Sequence, residues 1–272
     1  MSESFDIIII GGGIAGTSAA LTVMNRGKRT VVIANPMESE SLYKAEKITN
    51  YPGLAGLSGR EMSELLRRQL VGSGAKLIRG RALNVMDMGG SFGVAVGNDF
   101  YEAKAVILAL GITREKLYPG EAEFLGRGVS YCATCDGMLY RGKTVAIIGN
   151  NREAYDDADF LRGIGCNVLH FKENLRYEIR GGMKADTLIA GGQEHPVDGV
   201  FIIKDSISVS KLIDGLEYEN GAIVTKRDMS TSIPGVFACG DCTGKPYQLA
   251  KAAGEGNIAA LSACELSLIH IS

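Results

Sequence analysis

The 272-residue sequence predicts an α/β protein of two domains, the larger interrupted by the smaller. Three observations carry this prediction. An apolar run, Asp6-Ile7-Ile8-Ile9-Ile10, leads into Gly11-Gly12-Gly13-Ile14-Ala15-Gly16 and then a second run, Thr30-Val31-Val32-Ile33. The same order returns at Thr144-Val145-Ala146-Ile147-Ile148, Gly149-Asn150-Asn151-Arg152-Glu153-Ala154 and Asn167-Val168-Leu169-His170. Beyond this second unit, Ile233-Pro234-Gly235-Val236-Phe237-Ala238 and an Ala/Gly-rich stretch resume the pattern of the first. Unbroken Val/Ile runs are the mark of strands buried on both faces of a parallel sheet.

The elements follow in order. The first strand ends at Gly11, and a helix from Ile14 to about Arg26 carries Ala15, Ala19, Ala20, Val23 and Met24 before Gly27 stops it. Residues 35–60 read as irregular, with Asn35-Pro36 and Asn50-Tyr51-Pro52-Gly53 as turn signals. Glu61 to Gly72 has amphipathic helical spacing. Residues 75–108 alternate and contain Gly89-Gly90 and Gly97-Asn98, which predicts several strands, the last running from Ala105 to Leu110 before Gly111. In the second unit, Gly181-Gly182 and Gly191-Gly192 bracket one short strand, and Val200-Phe201-Ile202-Ile203 closes the domain. The final helix reaches about Cys264, and Leu266 to Ser272 is apolar for an exposed end. The domains are thus expected at 1–112 with 206–272, and at 113–205.

Bulk properties exclude several classes. A formal net charge of −2 supplies no basic surface for nucleic acid or anionic membrane. No apolar run approaches the roughly 18 residues of a membrane span. The polar start, Met1-Ser2-Glu3-Ser4, leads straight into a strand and reads as lacking a secretory signal, which predicts a cytoplasmic protein. Six cysteines are too sparse for a disulfide scaffold, so a Cys-x-x-Cys here points to redox or metal chemistry.

Gly11-x-Gly13-x-x-Gly16 stands between a buried strand and a helix, the context a Rossmann-like dinucleotide site requires. Gly11 serves the tight turn, Gly13 the approach of a pyrophosphate, and Gly16 the packing of helix on strand. The acid expected about 20 residues further on is replaced by Ala34-Asn35, of which Asn35 can still hydrogen-bond a hydroxyl. A generic glycine-rich loop is the bland alternative.

Cys132-Ala133-Thr134-Cys135-Asp136-Gly137 is the chemical centre. Cysteines at this spacing can close a strained, reducible disulfide, and Asp136 can relay the proton of a departing thiolate. Zinc binding is less well supported, because no second thiol pair lies at ribbon spacing; two inert buried thiols are less well supported again. Cys239-Gly240-Asp241-Cys242 reads instead as a turn contacting a cofactor's ribityl or phosphate group, its cysteines serving as small apolar residues. Cys166 and Cys264 read as packing residues, and His170, His195 and His270 show no ligand spacing.

The second glycine loop is defective. Asn151 takes the place of the glycine that lets backbone approach a pyrophosphate, and Glu153, Asp156, Asp157 and Asp159 crowd the helix start, where acids repel an anionic cofactor. His170-Phe171-Lys172-Glu173 offers no arginine pair for a 2′-phosphate. The alternative is a divergent NADPH site using Arg152, Lys172 and Arg176. One intact and one broken nucleotide loop, with a thiol pair between them, suggest a flavin–disulfide enzyme that has given up the nicotinamide.

On Gly11 to Gly16, Asn50-Tyr51-Pro52-Gly53, Leu108-Ala109-Leu110-Gly111, Cys132 to Gly137, and Thr231 through Asp241 with Gln248 beyond, the chain resembles the low-molecular-weight thioredoxin reductases over nearly its whole length. Its departures, all in the pyridine-nucleotide domain, resemble the ferredoxin-dependent flavin branch. Ser39-Glu40-Ser41 and Tyr247 also depart from common choices around the flavin. The resemblance implies a flavoprotein disulfide reductase: a Rossmann-like FAD domain interrupted by a smaller, degenerate nucleotide-binding-like domain that carries the redox Cys-x-x-Cys. It implies non-covalent FAD, a homodimer and thioredoxin as acceptor, with ferredoxin as donor. It places FAD against Gly11, Gly13, Ile14, Ala15, Gly16, Asn35, Leu42, Asn50, Ala82, Ala109, Gly111, Gly240, Asp241, Gln248 and Leu249. It gives Cys135 the flavin-facing role, Cys132 the attack on thioredoxin, and Asp136 the proton, with hinges near 112–116 and 204–208. An NADPH-dependent disulfide reductase and a non-catalytic flavin redox sensor are the alternatives. A basic-leaning region, Arg114, Lys116, Arg127, Arg141 and Lys143, could meet an acidic ferredoxin, although scattered solvated charges explain it more simply.

Overall fold

The computed structural model describes residues 3–35, 42–43, 45–54, 56–111, 117–131, 133–203 and 212–269. The chain divides into two compact units, Met1–Thr113 with Ile207–Ser272, and Arg114–Ser206. The expected hinge segments, 112–116 and 204–208, lie outside the described residues, as do Ser39-Glu40-Ser41 and His270.

In the first unit, β1 (Glu3–Ile10), α1 (Ile14–Asn25), β2 (Thr30–Ala34), α2 (Gly59–Gly72), β3 (Lys76–Arg79), β4 (Ala82–Asp87), β5 (Phe92–Val96) and β6 (Asp99–Leu108) come in chain order. The sheet runs β3-β2-β1-β6-β5-β4. Its β3, β2, β1 and β6 strands are parallel, with Ile7 to Ile10 registered on Ala105 to Leu108. Side chains Ile7, Ile8 and Ile9 are fully buried, as a strand covered on both faces demands. The β6 strand starts six residues before the expected Ala105, because its first half pairs antiparallel with β5. Helix α2 begins two residues before the expected Glu61. Ser58 caps it in a reciprocal capping box, its hydroxyl oxygen accepting the Glu61 N–H while a Glu61 carboxylate oxygen accepts the Ser58 N–H at 2.8 Å.

The second unit contains β7 (Val129–Ser130), β8 (Thr144–Ile148), β9 (Asn167–Phe171), β10 (Tyr177–Gly181), β11 (Ala185–Ala190), β12 (Gln193–Pro196) and β13 (Gly199–Ile202). Its helices are α3 (Glu121–Phe124), α4 (Ala133–Asp136) and α5 (Arg152–Gly163). A parallel sheet, β7-β13-β8-β9, stands beside an antiparallel meander, β10-β11-β12. The expected single strand between the glycine pairs is β11; β10 and β12, unforeseen, flank it. Both are short, and β12 is largely exposed, so neither presents an apolar run.

The chain then returns to the first unit through β14 (Tyr218–Glu219), β15 (Ala222–Ile223), β16 (Val236–Ala238) and α6 (Leu249–Ile269). Strand β16 adds parallel to Val106–Leu108, on the edge of β6 that β5 occupies further back. Among the described residues, no helix is long and apolar enough to cross a membrane.

Candidate functional site

The predicted cofactor residues of the first unit gather beyond the carboxyl ends of adjacent parallel strands. Gly11 to Gly16 follow β1, Asn35 follows β2, Ala109 and Gly111 follow β6, and Gly240 and Asp241 follow β16, while Ala82 opens β4 opposite Val96 and is buried. This edge, where neighbours of β1 lead the chain in opposite directions, is where open α/β sheets bind ligands. The Asn50 amide, on the loop before α2, donates to Gln248 Oε1 at 2.9 Å, bringing two predicted contacts together across 198 positions of sequence. Leu42 is half-buried against the core beneath α1, and Leu249 opens α6.

The glycines of the first loop do different work. Gly11 has φ +117°, and a Cβ there would lie 2.1 Å from the Ala109 carbonyl oxygen. At Gly16 a Cβ would lie 1.9 Å from the Gly11 oxygen. At Gly13 a Cβ would meet nothing within 4 Å, so its bareness serves something other than the protein's own packing. Gly13 is also the N-cap of α1, with no side-chain cap and no acid in the first turn. The helix therefore presents backbone N–H groups and its positive dipole end to an open cradle, which fits the pyrophosphate of a dinucleotide.

In the corresponding loop of the second unit, side chains bond to the backbone. Asn151 caps α5, and its Oδ1 accepts the Ala154 N–H at 2.9 Å, one of the donors a pyrophosphate would use. His170, at the end of β9, reaches back to the Gly149 carbonyl at 2.9 Å, and Tyr155 packs edge-on against its ring at 4.7 Å. Asp157 is buried, Asp159 pairs with Arg162 at 2.8 Å, and Asp156 sits 3.8 Å from Arg152.

Around the thiol pair, Cys132 and the side chain of Cys135 lie outside the described residues. The flanking frame is ordered by side chains. The Ser130 hydroxyl donates to Asp136 Oδ2 at 2.7 Å, tying the residue after Cys135 to the strand before Cys132. The Tyr131 hydroxyl donates to Glu121 Oε1 at 2.9 Å, while Glu121 Oε2 accepts the Tyr118 N–H at 2.9 Å. Burial raises the Tyr140 phenol, and the negative charge of Asp136 adds to the shift. Sequence reasoning missed Ser130 and Glu121; their only signal was proximity to the thiols.

Cys239 and Cys242 are free and buried. Burial pushes Cys239 well up and Cys242 to about 11, and the Cys242 thiol donates to the Cys239 carbonyl at 3.2 Å. They behave as small apolar residues. Of the basic-leaning region, Arg114 and Lys116 lie outside the described residues. Lys143 donates to the Leu139 carbonyl at 2.9 Å and Arg127 to the Glu123 carbonyl at 2.6 Å, so both serve local structure. Among the described residues, no group of His, Cys, Asp or Glu could hold a metal.

Comparison with known proteins agrees with this geometry. The model of the pyridine nucleotide-disulphide oxidoreductase family matches residues 5–180 and 169–256. A thioredoxin reductase of Treponema pallidum is 32% identical over 298 residues, covering 97% of both chains. A ferredoxin-flavin thioredoxin reductase of Clostridium acetobutylicum superposes with a TM-score of 0.89 at 38% identity, covering 100% of each chain. A thioredoxin reductase of Gloeobacter violaceus superposes at 0.85 with 30% identity, over 99% of this chain and 96% of its own.

Proposed function

The chain belongs to the pyridine nucleotide-disulphide oxidoreductase family as an FAD-binding thioredoxin reductase, and from that premise we propose that it draws its electrons from reduced ferredoxin and not from NADPH. FAD, when bound, supplies a carrier that accepts electrons singly and yields them in pairs. Gly13 gives its pyrophosphate room, Gly11 and Gly16 let the turn and helix pack closely beneath it, and the start of α1 gives it backbone donors. Asn35, Asn50, Asp241 and Gln248 offer polar groups to its ribose, isoalloxazine and ribityl parts.

In the proposed cycle the Cys132–Cys135 disulfide takes up two electrons, its S–S bond breaks, and two protons are bound. Asp136, held by Ser130, exchanges the proton at the Cys135 sulfur. The Cys132 thiolate then attacks the thioredoxin disulfide, and Cys135 resolves the mixed disulfide to release dithiol thioredoxin. Two ferredoxins are oxidised for each thioredoxin disulfide reduced. With ferredoxin near −400 mV and thioredoxin near −270 mV, two electrons release about 6 kcal/mol. The family resemblance adds a homodimer, and the sparse cysteines favour a cytoplasmic setting.

The observation that carries the donor assignment is Asn151 spending its side chain on the Ala154 N–H. His170 and Tyr155 reinforce it by occupying the end of β9, where a nucleotide ribose would rest. The similarity to the Clostridium acetobutylicum ferredoxin-flavin thioredoxin reductase supports the same donor. Anaerobic titration tests it: reduced ferredoxin should bleach the flavin within a turnover and NADPH should not. Rapid bleaching by NADPH would overturn the assignment in favour of a divergent NADPH site.

A further inference from the structure

Two charged residues on α6 have no part in the cycle above, yet they grip both sides of the turn after β16. Lys251 Nζ donates to the Gly240 carbonyl at 2.9 Å, to Thr243 Oγ1 at 3.0 Å and to the Gly244 carbonyl at 2.7 Å. That is the full complement of an ammonium's three donors. Glu255 Oε2 accepts the Gly240 N–H at 2.9 Å and lies 2.9 Å from the Thr243 hydroxyl. The two side chains stand 3.3 Å apart, each only 17% exposed. Gly240, at φ +82°, is thus held through its N–H by the anion and through its carbonyl by the cation.

Helix stability does not explain the arrangement. A cation in the first turn opposes the helix dipole, and Lys preceding Glu by four positions is the weaker order for an i,i+4 pair. Half-buried charges with so many partners point to the turn they hold. That turn carries Gly240, whose backbone abuts the start of α1: a Cβ there would lie 2.9 Å from Ala15 Cβ. It also carries Asp241.

We propose that Lys251 and Glu255 are positioning residues for FAD. Together they lock the Gly240–Thr243 turn in the form that receives the cofactor. As opposite charges side by side they cancel, so the flavin is reduced without bias from either. The proposal rests on FAD binding at this turn and is independent of which donor reduces it.

The test uses full-length Lys251→Met, Glu255→Gln and the double variant, reconstituted with FAD. Each single variant should raise the FAD dissociation constant at least about tenfold, equivalent to about 1.4 kcal/mol. The flavin midpoint potential, equilibrated against a reference dye with dithionite, should move negative in Lys251→Met, where an anion is left alone. It should move positive in Glu255→Gln, where a cation is left alone. The double variant should return towards the wild-type potential while keeping the weakened affinity. A merely structural pair would shift both potentials the same way or not at all, and either result overturns the proposal. Should Lys251→Met fail to fold, Glu255→Gln preserves the side chain's shape and still reads the sign: a positive shift with weakened affinity supports the proposal, and an unchanged or negative potential overturns it. The assay contains neither ferredoxin nor NADPH, so a failed donor assignment leaves its outcome untouched, and the reverse holds.

Discussion

Gly13 and Gly16 stand three residues apart at the start of α1 and serve different needs. Gly16 is bare because the Gly11 oxygen lies where its Cβ would go; Gly13 is bare although the protein leaves that space open. Gly16→Ala should therefore lower the melting temperature of the apoprotein sharply. Gly13→Ala should cost the apoprotein no more than about 1 kcal/mol, the loss of a tolerable N-cap. Its FAD affinity should still fall by about tenfold or more, and calorimetry of apoprotein alongside FAD titration separates the two effects. The buried thiols give a second residue-level expectation. With Cys242 raised to about 11 and Cys239 raised as well, both stay protonated at pH 8. Iodoacetamide on native protein at that pH should leave both unlabelled by mass spectrometry, and labelling should appear only on unfolding. Because the folded thiols ionise later than the ordinary value of 9.0, their contribution to stability is complete below that pH and is lost as pH rises towards 11. The roles of Gly11 and of Cys239 were legible in the sequence from spacing and apolar context. The grip of Lys251 and Glu255 was not: a Lys-x-x-x-Glu pair on an Ala-rich helix reads as solvated surface until the turn it faces is known.

At the scale of elements, α1 and α5 begin with the same topology and opposite chemistry. The start of α1 has no side-chain cap, and that of α5 is capped by Asn151. A helix whose N–H groups await a ligand cannot also spend them on its own side chain. Asn151→Ala should cost about 1 kcal/mol through the lost cap, seen as a lower denaturation midpoint. It should not confer reduction of the flavin by NADPH, because His170 and Tyr155 still fill the end of β9. The long elements α1, β1 and β8 were foreseen closely, because they combine apolar helical content or continuous Ile/Val runs with clear glycine stops. The start of α2 was placed two residues late because its cap depends on the reciprocal Ser58–Glu61 bonds. Strands β10 and β12 were missed because pairing with β11, not their own composition, makes them strands.

At the scale of the molecule, each unit has cores of its own. Two apolar clusters, one centred on Ile7, Ile9 and Ile107 and the other on Ile8, Val94 and Val106, belong wholly to the first unit. Two more, around Ile148, Leu188 and Val200 and around Ile147, Leu161 and Phe201, belong wholly to the second. An excised 114–206 fragment should therefore fold alone, with dispersed amide resonances and a cooperative thermal transition, and should bind no flavin. A non-cooperative melt would show that its cores depend on the rest of the chain. Sequence alone determined the α/β class, the two nucleotide-type units, the intact and the broken loop, and the thiol pair, because each is written in residues close together in the chain. Only tertiary structure decided that Asn50 meets Gln248, that Lys251 and Glu255 clasp Gly240, and that His170 turns back onto Gly149. Those contacts join residues made neighbours by strand order and helix packing, and a linear pattern carries no record of that adjacency.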